Sequence, residues 1–454
     1  MGYHQSSRRR TIHKQRKKMK GLLEDLKIIA IVSMAMVQQL YMCESGSSLH
    51  PVILIPGAGG NQLEARLTKD YKSSSVFCSR WNPIMKDTQG WFRLWFTPTV
   101  LLAPYTDCFA RRMTLYYDTD SDDYRNAVGV QTRVNKFGSV QSLLYLDPTL
   151  KKITTYMAGL VDSLEAIGYV RDKTLFGAPY DFRYGLAPEG HPCAVGSKFL
   201  KDLKELVQKA SSSNGGKSVI LVSHSLGGLF ALQFLNRNPP SWRKHFIKHL
   251  VALSTPWGGS VEGMRTFASG NTLGVPLVNP LLVRTEQRSS ESNLWLLPNP
   301  TIYDRKTPIV ITQNSNYTVD EIPRFLKDIG FGEGVYPYES RIVPLMEQLQ
   351  APGVHLTCVI GGGVKTPETL SYGENGFDEQ PEIGYGDGDG TVNTVSLRAL
   401  ERLWAKEKNQ TLETIVLPGV SHKSILENRD ALDAIINEIS GINSMGCRHT
   451  RVVI

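Results

Sequence analysis

The segment Val219-Ile220-Leu221-Val222-Ser223-His224-Ser225-Leu226-Gly227-Gly228 constrains the fold of this chain more than any other. A run of apolar and β-branched residues stops at a turn of small residues. Leu229-Phe230-Ala231-Leu232-Gln233-Phe234-Leu235 then follows with helical composition. This is the pattern of a nucleophile elbow: a strand, a tight turn and a helix, with a serine at the apex. The turn requires small residues two before and two after that serine, and Ser223 and Gly227 hold those places. Ser223 stands where glycine is usual, so the motif reads Ser-x-Ser-x-Gly. Alone, the same pattern also fits an ordinary strand-to-helix turn in which Ser225 caps the helix.

Strands and helices alternate on either side. Pro51-Val52-Ile53-Leu54-Ile55-Pro56 reads as a buried strand that ends in the loop Gly57-Ala58-Gly59-Gly60-Asn61. Residues 151–167 and 198–209 read as helices, the second with Phe199, Leu203, Leu206 and Val207 at helical spacing. Further strands are expected over 249–254, 308–312, 354–360 and 414–417, with a closing helix near 430–439. The alternation predicts an α/β fold with a mainly parallel sheet and helices on both faces. Two stretches break the pattern. Residues 77–109 are rich in aromatics (Trp81, Trp91, Phe92, Trp95, Phe96, Phe109) and interrupted by Pro98 and Pro104. Residues 270–308 read as irregular, which in a compact fold points to a lid.

The formal net charge of +8 sits almost wholly in the leader: residues 1–20 carry eight Lys or Arg and no acid. The rest of the chain balances 43 basic against 43 acidic residues, so the body has no electrostatic footprint for nucleic acid. The leader runs into an apolar stretch, Ile28–Val37, shorter than the roughly 20 residues a membrane span needs. It fits the h-region of a signal peptide, with Cys43–Ser48 as the cleavage zone and either Met1 or Met19 as the start. An anchor over residues 28–43 is the alternative. Entry into the secretory pathway is therefore expected. The sequons Asn316-Tyr317-Thr318 and Asn409-Gln410-Thr411 are compatible with it. Cys78 and Cys108 bracket the aromatic segment and can close it as a loop, whereas Cys193, Cys358 and Cys447 are isolated. With no Cys/His cluster, neither a metal nor a cofactor is expected.

A serine nucleophile needs a base within hydrogen-bond reach and an acid to hold that base. In the elbow architecture the chain order is serine, acid, histidine. Gly386-Asp387-Gly388-Asp389-Gly390-Thr391-Val392 offers two acids. Asp389 is favoured over Asp387 because it precedes Gly-Thr-Val, where the chain turns into its next element. The run lacks later carboxylates at calcium-loop spacing. Val416-Leu417-Pro418-Gly419-Val420-Ser421-His422 then places a histidine after a late strand, with His355 and His449 as competitors. The expected triad is Ser225, Asp389 and His422. An oxyanion needs two backbone donors: Leu226, which follows the serine, and Ala58 in the early glycine-rich loop, with Gly59 as the alternative.

Taken together, Pro56–Ala65, Ala178-Pro179-Tyr180-Asp181-Phe182-Arg183, Ser223–Gly228, Pro256-Trp257-Gly258-Gly259 and Gly386–Val392 resemble the lecithin:cholesterol acyltransferase family, over roughly residues 50–440. The resemblance implies an α/β-hydrolase fold over 49–440, between a leader of 1–48 and a tail of 441–454. It gives Ser225, Asp389 and His422 the roles of nucleophile, acid and base, and Ala58 and Leu226 those of oxyanion donors. It also implies a Cys78–Cys108 disulfide closing a membrane-binding excursion over 77–109, and a mobile lid over about 269–298. Two departures stand out. The family's second disulfide would pair Cys358 with a cysteine near 398–402, where this chain has Arg-Ala-Leu-Glu-Arg, so Cys358 is expected to stay free. At Ala58, members of the family carry a polar or thiol side chain.

Trp91, Phe92, Trp95 and Phe96, crowded into one loop, are expected to form an exposed apolar patch suited to a bilayer interface, a packed aromatic cluster being the other reading. The function so implied is transfer of an acyl chain from a phospholipid, through an acyl-enzyme, to a sterol or other lipid alcohol. Hydrolysis by a phospholipase A or lipase is the alternative, and a non-catalytic lipid-binding protein is the reading from another class. The expected partners are a phospholipid surface and a lipid alcohol, not nucleic acid.

Overall fold

The computed structural model describes residues 49–73, 78, 89–96, 105–272 and 279–444. The expected signal peptide or anchor, Trp81, lid residues 273–278, and residues 445–454 with His449 and Cys447 lie outside them. Residues 50–439 form one compact unit.

Six parallel strands carry the body: Val52–Ile55, Leu175–Gly177, Val219–His224, Ile247–Leu253, Leu356–Gly362 and Leu412–Pro418. Val52–Ile55 and Val219–Val222 are fully buried, as apolar runs are in a parallel sheet covered on both faces. The helix Ala194–Ser212 extends the expected one at both ends and buries Phe199, Leu203, Leu206, Val207 and Ala210 along one side. Leu226–Asn236 is apolar almost all round and correspondingly buried on every side.

Across the sheet the strands run 412–418, 356–362, 247–253, 219–224, 52–55 and 175–177. The chain thus moves from Val52–Ile55 outward to Leu175–Gly177, then returns to lay Val219–His224 on the other side. Ile55 pairs with Ser223 across that junction. Connections that leave neighbouring parallel strands in opposite directions open a crevice at their carboxyl ends. This order and connectivity make an α/β-hydrolase fold. The crevice lies between the loop after Ile55 and the turn after His224.

Both irregular stretches differ from expectation. Residues 281–295 are helical, as Leu281–Ser289 and Glu291–Trp295, and Val283, Leu294, Trp295 and Leu297 are buried. These helices are too short to show a period, and polar Glu286, Gln287 and Arg288 share their buried side, which hides them from an apolar-spacing search. Nor do the aromatics form an exposed patch. Phe92, Trp95 and Phe96 are 2, 7 and 8% exposed. Strand Phe92–Trp95 pairs with Leu63–Leu67, and Trp95 packs on Phe96, Phe109 and Phe182. Half-buried Trp91 meets the guanidinium groups of Arg66 and Arg133, 4.9 and 4.3 Å from its ring centroid. Their packing partners come from distant parts of the chain, which loop composition does not reveal.

Cys78 and Cys108 are joined by a disulfide, with Cα atoms 5.4 Å apart. Cys193 and Cys358 are buried free thiols. Among the described residues no helix is long and apolar enough to cross a membrane.

Candidate active site

The strand Val219–His224 delivers Ser225 into the crevice with φ +53° and ψ −130°, a backbone conformation that costs a non-glycine residue energy and aims its side chain outward. Its N–H bonds to the Leu253 carbonyl (2.9 Å), and its carbonyl accepts from the Gly228 N–H (2.9 Å). The helix start then runs against the first strand's exit: a Cβ on Gly227 would fall 2.4 Å from the Pro56 carbonyl oxygen. Ser223 is fully buried, and its hydroxyl has no hydrogen-bond partner among the described residues.

His422, in the turn after the edge strand Leu412–Pro418, places Nε2 2.9 Å from Ser225 Oγ. Its Nδ1 lies 2.8 Å from Asp389 Oδ2. Carboxylate oxygens only accept, so Nδ1 carries the proton and the Nε2 lone pair faces the serine hydroxyl. Asp389 is fully buried, and its Oδ1 accepts from the Thr391 N–H (3.0 Å) and Val392 N–H (2.7 Å). Burial alone would raise this carboxyl, but the charge and hydrogen bond of His422, with those two amides, outweigh it and hold it below the usual range. A further bond from the His422 N–H to the Asp389 carbonyl (2.7 Å) joins the two loops.

Asp387 turns elsewhere, accepting from the Gly363 N–H (2.8 Å) and Thr394 hydroxyl (2.7 Å). His355 immediately precedes strand Leu356–Gly362, at the opposite end of the sheet from Ser225, and its ring stacks on His249.

The glycine-rich loop lies directly against the serine: a Cβ on Gly57 would fall 2.7 Å from Ser225 Cβ. Ala58 is exposed. Neither the Ala58 N–H nor the Leu226 N–H, the first of its helix, donates a hydrogen bond among the described residues. Trp95 Nε1 donates to the Gly59 carbonyl (2.7 Å), and the Gly60 N–H turns back to the Gly57 carbonyl (3.0 Å).

Two side chains here carry no sequence-level signal. His224 is buried beside the serine, with Nδ1 2.7 Å from the Tyr156 hydroxyl and Nε2 3.0 Å from the His422 carbonyl. Burial, with the nearby His422, pushes its imidazole down to about 3. Tyr156 in turn accepts from the Gly57 N–H (2.8 Å). Gly57, Tyr156 and His224 are thus linked although they come from segments 68 and 99 positions apart. No group of three or more His, Cys, Asp or Glu among the described residues could hold a metal ion. The arrangement is chemically suited to nucleophilic attack on an acyl carbon, with a base on the attacking hydroxyl and a buried carboxylate behind the base.

The family model for lecithin:cholesterol acyltransferase matches residues 91–336. The chain is similar to lecithin-cholesterol acyltransferase-like 1 of Arabidopsis thaliana, 59% identical over 91% of this chain and 95% of the relative. It is 37% identical to the lysosomal phospholipase A and acyltransferase of Rattus norvegicus, over 84% of this chain and 88% of that protein. It is 36% identical to the phosphatidylcholine-sterol acyltransferase of Mus musculus, over 86% and 85%.

Proposed function

This chain belongs to the lecithin:cholesterol acyltransferase family, and on that footing we propose that it is a lipid O-acyltransferase working through an acyl-enzyme on Ser225. One observation carries the reading: the unbroken hydrogen-bond line from Ser225 Oγ through His422 to buried Asp389, at 2.9 and 2.8 Å. His422 Nε2 takes the hydroxyl proton as Oγ attacks the ester carbonyl of a phospholipid. Asp389 stabilises the imidazolium that forms, and the Ala58 and Leu226 N–H groups receive the developing oxyanion. The imidazolium then protonates the departing lysolipid oxygen. In the second half-reaction His422 deprotonates an acceptor alcohol, whose oxygen attacks the acyl carbon, and the imidazolium returns the proton to Ser225 Oγ as the ester bond to it breaks.

A sterol or other lipid alcohol is the proposed acceptor, in line with the name of the mouse relative, a phosphatidylcholine-sterol acyltransferase. Water is the second reading, favoured by the rat relative, whose name includes phospholipase A. The proposed setting is the secretory pathway at a phospholipid surface. Asn316 and Asn409, the proposed glycosylation sites, are both exposed, which supports that setting.

The test uses vesicles of acyl-labelled phosphatidylcholine, with and without sterol. Ser225→Ala is expected to lower release of the labelled acyl chain by about 1,000-fold or more while circular dichroism stays unchanged. Undiminished turnover would reject the acyl-enzyme. Labelled steryl ester from the parent protein is the expected product. Free fatty acid alone would move the assignment to phospholipase.

A further inference from the structure

We infer that Tyr156 and His224 are positioning residues that lock the oxyanion loop to the backbone of the base, an inference resting on the acyl-enzyme reading above. The hydrogen atoms can be placed in only one way. The His422 carbonyl can only accept, so His224 Nε2 carries the proton and donates to it across 3.0 Å. His224 Nδ1 is then a lone pair, and the Tyr156 O–H must donate to it across 2.7 Å. The Tyr156 oxygen is left to accept from the Gly57 N–H at 2.8 Å. Three bonds thus agree on a single tautomer and form one bridge from the oxyanion loop to His422.

The bridge also carries weight by contact. A Cβ on Gly60 would fall 2.5 Å from Tyr156 Cζ, so the phenol ring lies directly beneath the far limb of the loop. Trp95 Nε1 holds the Gly59 carbonyl from the other side. Ala58, the one residue of the turn that is exposed, is therefore fixed from both flanks. Tyr156 and His224 are 8 and 4% exposed, and the bonds described occupy both ring nitrogens of His224. Neither residue needs to touch substrate: each acts through the backbone it holds. Donors aimed in advance at a developing oxyanion need no reorganisation during reaction, and misplacement by about 1 Å can cost roughly 100-fold in rate.

Tyr156→Phe keeps the ring and removes the bridge. With active sites counted by fluorophosphonate titration and phosphatidylcholine vesicles as substrate, kcat per titrated site is expected to fall about 10- to 100-fold, with KM within about twofold. His224→Gln retains one acceptor and one donor, whereas His224→Leu has neither. The glutamine variant is expected to keep more kcat per site than the leucine variant, and this pair decides the matter if Tyr156→Phe does not fold. A lowered Tm with unchanged kcat per site would reduce both residues to scaffold and overturn the inference. Activity lost with Ser225→Ala but intact in Tyr156→Phe would remove the positioning role and leave the acyl-enzyme standing. Activity surviving Ser225→Ala would remove both.

Discussion

Ser223 has been accommodated in the elbow by burial, and its hydroxyl, unpartnered among the described residues, has given up water without a replacement bond. Such a group costs stability, so Ser223→Ala is expected to stabilise the protein by about 1 kcal/mol, read as a higher urea midpoint at constant m-value. A midpoint unchanged or lowered would show that the hydroxyl is satisfied. Around this residue the sequence is readable because the elbow is local: strand, serine and glycine fall within ten positions. The proposed acid and base could be sought by chain order, since each follows a late strand. Asp387 and Asp389 are nearly indistinguishable in sequence. Burial separates them, since Asp389 is enclosed against His422 and Asp387 faces outward. Tyr156 and His224 are illegible for the opposite reason, because their value lies in partners far along the chain.

Helix Leu281–Ser289 shows what periodicity misses at the scale of an element. It seats Glu286 beneath the surface near Arg183, and burial pushes that carboxyl up to about 8 although the arginine pulls it down. From an ordinary value of 4.5, a raised folded pKa means that the folded state binds its proton more tightly than the unfolded chain does. Stability on this account is full below pH 4.5 and is lost as pH rises towards 8. Glu286→Gln, which is neutral throughout, is expected to flatten the decline of Tm between pH 5 and about 8. The slope should shrink but not vanish, because burial also raises Glu291 to about 7. An equal slope in both proteins would contradict the assignment. Elements with a clean apolar stripe, such as Ala194–Ser212, were readable; those that bury charge were not.

For the whole molecule, alternation foretells a parallel sheet but not the order of its strands, because the direction of each crossover depends on packing across the entire sheet. The observed order puts Ser225, the proposed nucleophile, just after an interior strand that is buried along its full length and bonded to a neighbour on each side. His422, the proposed base, follows Leu412–Pro418, which has a sheet neighbour on one side only among the described residues and exposes Glu413, Val416 and Pro418. Strands of these two kinds open at different free energies. Fraying of the edge would carry His422 away from Ser225 while the interior strands stay paired. Activity is therefore expected to vanish at a lower urea concentration than far-UV circular dichroism, with faster amide exchange over 412–418 than over 219–224. Coincident midpoints and equal exchange would refute it. On that expectation catalysis would be a gauge of one loosened margin, silenced under mild stress while the interior of the sheet stays in place.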